Sequence, residues 1–250
     1  SNFRAGVNAG NSIQSGGNYN VTVGDEAGTA LTTGDYLTAL GYAAGTAITT
    51  GVQNTLIGGL AGDAITTGNY NLAIGHQALS ATTTANYNVA VGRSALFTNI
   101  LGSHSTAIGI SALETQNYAT ATAAYNVAVG HEAGLSVTTG IQNTFIGGLA
   151  GDANTTANNN TAVGKSSLSA TTTGGENTAV GTNALATNTT ASNNTAVGTN
   201  ALKVNTTGTS NVAVGALALD ANTTASNNTA VGYAAGTAIT TGTQNTLIGG

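Results

Sequence analysis

Small and apolar residues recur along this chain at a single interval. Near-copies of the pentad Asn228-Thr229-Ala230-Val231-Gly232 close at Gly24, Gly41, Gly58, Gly75, Gly92, Gly109, Gly130, Gly147, Gly164, Gly181, Gly198, Gly215, Gly232 and Gly249. The spacing is seventeen residues throughout, except that four extra residues enter between Gly109 and Gly130. An interval held over this length marks a solenoid, in which one turn of chain stacks on the next. The pattern predicts an all-β parallel β-solenoid of about fourteen seventeen-residue coils, one repeat array over 1–250, with an irregular coil around 110–126.

Alignment on the glycine turns the chain into columns. The residue before it is Val or Ile in every coil but that of Leu40, as in Val163, Val180, Val197, Val214 and Val231. β-Branching favours a stiff extended strand, and these side chains are expected to point inward. One step earlier stands a small residue, usually Ala as at Ala73, Ala90, Ala162 and Ala196, with Leu56, Phe145 and Leu247 as exceptions. Adjacent strand residues face opposite sides, so the Ala column is expected to pack against another subunit. Three residues past the glycine comes a second Ala column (Ala78, Ala95, Ala184, Ala201), followed by Leu or Gly. These positions predict a second short strand or a bend that fills the same interior.

The pentad is headed by Asn54, Asn71, Asn88, Asn160, Asn177, Asn194, Asn211 and Asn228, among others. Identical amides superposed at a strand spacing of about 4.8 Å form a ladder that locks coil register. A Thr-Thr step such as Thr49-Thr50 or Thr189-Thr190 precedes it in most coils, and its hydroxyls are expected to bond the next coil. The residue after the glycine varies most: Tyr42, His76, Arg93, His131, Lys165 and Tyr233 mark a solvated edge available for surface contact. Tyr118, within the segment Glu114–Tyr125 that carries the insertion, is a further expected contact, because insertions in repeat arrays become loops on one face.

Charge narrows the partners. Four Lys plus Arg against nine Asp plus Glu give a net charge of -5, which leaves no basic stripe for nucleic acid. The chain has no Cys, so neither disulfides nor thiolate metal sites arise. No apolar run is long enough to span a bilayer, the first residues are no signal peptide, and the chain ends inside a repeat, which suggests a segment of a longer fibre.

Catalytic chemistry is not indicated. His76 and His131 stand several coils apart and His104 lies in another column, so no metal or cofactor is expected. Asp63, Asp152 and Asp220 share a column but not neighbouring coils, which gives no acid and base pair. The seventeen-residue coil is no multiple of the six-residue side that builds acyltransferase helices.

The stretch Asn194-Thr195-Ala196-Val197-Gly198-Thr199-Asn200-Ala201-Leu202 resembles the head repeat of YadA-like trimeric autotransporter adhesins, and is similar to the Asn-Thr-Ala-Val-Gly repeats of phage tail-fibre proteins. The likeness covers nearly the whole chain. It implies a left-handed β-roll, a homotrimer, an extracellular, cell-surface or virion location, and attachment to a receptor or glycan. The period is longer than in the adhesin heads, and nothing resembles their stalk, neck or anchor. The expected role is a structural fibre or adhesin segment; the rival is an ice- or glycan-binding module, which would need regular outward Thr columns side by side.

Overall fold

The computed structural model describes residues 1–249. They form a parallel β-solenoid without any helix, in two compact units, the first ending at Asn126 and the second beginning at Val127. In the first unit β1 (Phe3–Ala5), β2 (Val21–Val23), β3 (Thr38–Leu40), β4 (Thr55–Ile57), β5 (Leu72–Ile74), β6 (Val89–Val91) and β8 (Thr106–Ile108) stack in that order, all parallel. A side pair of β7 (Gly102–Ser103) and β9 (Thr122–Ala123) belongs to the irregular coil. In the second unit β10 (Val127–Val129), β11 (Thr144–Ile146), β12 (Thr161–Val163), β13 (Thr178–Val180), β14 (Thr195–Val197), β15 (Val212–Val214), β16 (Thr229–Val231) and β17 (Thr246–Ile248) stack likewise. The register superposes like on like: Ala179, Ala196, Ala213 and Ala230 are partners, and so are Val180, Val197, Val214 and Val231.

Each strand of the two main stacks is only three residues long, so side-chain parity along it decides what is inside. Its middle residue faces the interior: Ala73, Ala90, Ala162, Ala179, Ala196 and Ala213 are fully buried. The flanking residues face out, and Val180, Val197 and Val214 keep 36% of their surface exposed. This reverses the expected orientation of both columns. The second Ala column is buried too, and once both Ala columns and the Asn column fill a coil this thin, strand alternation leaves the β-branched residue on the outer side.

The interior is kept at constant volume by a pair of positions that vary together. Where the strand centre is Ala, the position four past the glycine is usually Leu, as with Ala73 and Leu79 or Ala196 and Leu202. Where the strand centre is large, that position is Gly in its own coil and the one before. A Cβ on Gly45 would lie 2.7 Å from Leu56, and one on Gly62 2.8 Å. Phe145 likewise abuts the space over Gly151, and Gly134 occupies the same place in the preceding coil. The Leu in this column sits at a left-handed φ near that of its Gly counterparts, 54° at Leu79 against 55° at Gly62. Leu and Gly therefore exchange without a change of backbone.

The closing glycine is under a stricter constraint. Gly198 has φ +137°, and a Cβ there would stand 2.5 Å from the carbonyl carbon and oxygen of Gly215 in the next coil. No L side chain meets both demands.

Candidate functional site

The polar ladder is buried and continuous within each unit except at Leu37, which takes its place in one coil. Asn211 N–H donates to Asn194 Oδ1 at 3.0 Å, and Asn194 Nδ2 donates to Gly208 O at 2.9 Å. The same pair of bonds joins Asn54 to Asn71 and Gly68, Asn71 to Asn88 and Ala85, and Asn160 to Asn177 and Gly174. Asn177, Asn211 and Asn228 repeat it, and Asn88 passes its bond to Ser105 N–H. A buried amide thus satisfies a main-chain donor that faces away from the strand ladder. In most Thr-Thr pairs the first hydroxyl donates to the next coil's carbonyl, as Thr189 Oγ1 does to Thr206 O at 3.2 Å, while the second, such as Thr190, is exposed.

The outer face carries two columns from each strand, a Thr or aliphatic residue and a Val or Ile. Val163, Val180, Val197, Val214 and Val231 form its apolar row in the second unit. Beside the closing glycine, Tyr42, His76 and Arg93 in the first unit and His131, Lys165 and Tyr233 in the second are all exposed in one column. His76 and Arg93 stand in successive coils, the others of each unit are separated by at least one coil, and no three converge; His131 Nε2 lies 3.5 Å from its neighbour Glu132.

Tyr118 is placed differently from expectation. It is buried, with 6% exposure, and its hydroxyl accepts from Asn126 Nδ2 at 3.2 Å; burial pushes its phenol up to about 12. Asn126 also donates to Gln116 Oε1 at 2.9 Å, and Gln116 bonds Asn99 and Ser105. The inserted segment is therefore pinned by a buried polar network where the Thr-Thr step is missing, while the stretch 119–121, with Thr115, Ala123 and Tyr125, is exposed to solvent. An aromatic ring in a loop was legible; the hole it plugs was not.

Two features of the edge escaped the column reading. In the first unit Tyr19 stacks on Tyr36, and Tyr70, Tyr87, His104 and Tyr125 form a continuous stack with ring centroids 4.9 to 5.1 Å apart. All are exposed. The signal was a Tyr immediately before the ladder position at the repeat interval. Tyr19, Tyr70 and Tyr87 precede Val21, Leu72 and Val89 by two residues, where most coils have Thr, so aromatic and aliphatic residues share this edge.

In the second unit the same edge holds Asn159, Glu176 and Asn193, and here a polar depression of about 360 Å³ opens, reaching Thr156 and Thr173. Among the described residues no three His, Cys, Asp or Glu side chains come together as a metal site would require, and no helix is long and apolar enough to cross a membrane. Comparison with known protein families, curated proteins and solved structures gives no match for this chain.

Proposed function

We propose that this chain is a segment of an extracellular or virion fibre or adhesin, assembled from parallel copies as a homotrimer and displaying its variable edge residues for attachment to a surface. The observation that carries this reading is the outward row of Val180, Val197, Val214 and Val231, each 36 to 39% exposed in the single chain and held in register coil after coil. A regular outward apolar row is the kind of surface that a second copy covers. The resemblance of the Asn-Thr-Ala-Val-Gly repeat to trimeric adhesin heads and tail fibres supports the same stoichiometry and the left-handed roll. Three parallel copies would multiply weak edge contacts.

The test is the mass in solution. Sedimentation equilibrium or native mass measurement is expected to give three chains, and the double substitution Val197→Asp with Val214→Asp to give one chain with an unchanged circular dichroism spectrum. A parent protein that sediments as a monomer contradicts the reading.

One observation favours a second reading. Thr195 and Val197 lie on the same outward face, and this Thr-x-Val pair recurs in Thr161/Val163, Thr178/Val180 and Thr229/Val231. A flat lattice of this kind suits binding to an ordered surface such as ice. It demands an uncovered face, so a monomer with measurable thermal hysteresis supports it, whereas a trimer without hysteresis removes it.

A further inference from the structure

The column two residues before the ladder Asn carries a small device of its own. In coil after coil, a side-chain oxygen there caps the main-chain N–H at the same position in the preceding coil. Asn158 Oδ1 accepts from Ile141 N–H at 2.7 Å, Ser192 Oγ from Gly175 N–H at 3.1 Å, and Ser226 Oγ from Thr209 N–H at 3.0 Å. Asn69, Asn86 and Asp35 do the same in the first unit. Gly175 has no side chain to offer. Among the described residues no protein acceptor meets the Asn158 N–H; Gly175 and Asn158 line the depression side by side, so closely that a Cβ on Gly175 would stand 2.8 Å from the Asn158 carbonyl oxygen and 3.6 Å from its nitrogen.

What surrounds that donor defines the ligand. The Glu176 carboxylate and the Asn159 and Asn193 side chains stand on its rim, and Ser192 lies beside them. A ligand must supply an acceptor oxygen to the Asn158 N–H and, within a few ångströms, donors to a carboxylate and to amide oxygens. A hydroxyl does both, because it donates one proton and accepts through two lone pairs. Anions are disfavoured, since Glu176 is the charged group in the lining and no Lys or Arg joins it. A hard cation is disfavoured as well: a lone carboxylate falls short of the six to eight oxygens that calcium takes, and the N–H opposes it.

We propose that the depression formed by Asn158, Gly175, Glu176 and their neighbours in the coils closed by Gly164, Gly181 and Gly198 is a binding site for a neutral saccharide. One sugar hydroxyl takes the place of the missing ladder oxygen on the Asn158 N–H, and a second donates to Glu176. The site is shallow and small among ligand pockets, so affinity per chain is weak, with Kd on the order of millimolar. This names a ligand for the attachment role proposed above and rests on that role for its purpose. Parallel copies would each present the same site and gain avidity from repetition.

The experiment is an amide-resolved NMR titration of the full chain with mannose, galactose and N-acetylglucosamine, with sialic acid and calcium chloride as counter-probes. The amides of Asn158, Gly175, Glu176 and Asn193 are expected to shift with at least one neutral sugar. Glu176→Gln is expected to weaken that binding about ten-fold, the effect of losing a hydrogen bond to a charged group. Gly175→Ser brings a hydroxyl beside the Asn158 N–H and a Cβ against the Asn158 carbonyl oxygen, and is expected to abolish it. Should Gly175→Ser fail to fold, Asn193→Ala on the opposite rim is expected to weaken binding several-fold and serves the same end. Silence of these amides toward all three sugars, tighter binding of sialic acid or calcium, or full sugar affinity in Glu176→Gln overturns the proposal. Sedimentation of the same sample separates the two ideas, because a trimer that ignores sugars refutes only the site, and a monomer that binds them refutes only the assembly.

Discussion

Leu56→Ala, Gly62→Leu and their combination test whether the interior of each coil is held at constant volume. Leu56 is fully buried in β4, and the truncation leaves a void bounded by Gly45 and Gly62, neither of which can fill it. A Leu to Ala change in such a site costs about 2–5 kcal/mol. Gly62→Leu alone is destabilising for the opposite reason. Its Cβ would stand 2.8 Å from both the Leu56 Cδ2 and Ile65 Cδ1 atoms, and overpacking of this kind costs about 1–3 kcal/mol. The double variant matches the pair that stands one coil further on, Ala73 with Leu79 at φ 54°, except that Ile65 remains where that coil has Thr82. It is therefore expected to recover part of both losses, so that its cost is smaller than the sum of the two single costs. Urea unfolding followed by circular dichroism, at one protein concentration for all four proteins, gives the coupling energy of the cycle. Losses that simply add in the double variant would refute the exchange of volume between the two columns.

Further outcomes follow from the ladder and from one carboxyl. Asn194→Ala removes the acceptor of Asn211 N–H in a fully buried place and is expected to cost about 1–3 kcal/mol in a thermal or urea melt, whereas Thr190→Ala on the exposed side should stay within about 0.5 kcal/mol. Burial raises the carboxyl of Asp152 above its ordinary value, with Glu132 adding to the effect and main-chain hydrogen bonds opposing it. Its contribution to stability is complete below the pKa of the unfolded chain and is lost as pH rises through the folded value. Asp152→Asn should therefore gain on the parent in melting temperature between about pH 3 and pH 7, and a gap that does not change with pH would contradict this.

The repeat interval, the parallel stacking and the Asn ladder were legible because superposed coils impose the same demand at every seventeenth position. Orientation was not. A β-branched residue beside a closing glycine suits a strand whichever way it faces, and Val197 reads as core until Ala196, Ala201 and Asn194 are seen to fill the coil without it. Even so, the exceptions carried the answer: Leu56 and Phe145 in the Ala column coincide with Gly62 and Gly151 in the Leu column, and only a shared interior links them. The aromatic edge was missed, although Tyr70 and Tyr87, one interval apart, carried its signal. The depression at Gly175 was not, since its origin is a side chain that is missing from a ladder visible only in three dimensions.

Within each unit, the hydrogen bonds between coils lie along the direction in which the coils stack, from Thr195 N–H to Asn211 O and from Asn211 N–H to Asn194 Oδ1 alike. Tension between the two ends of such a stack loads these bonds in series, so that the outermost coil peels away first and the rest follow one by one. Each peeled coil would release about 60 Å of slack, taking seventeen residues at roughly 3.4 Å apiece. A thread built this way yields under force unless neighbouring strands of the thread grip it from the side.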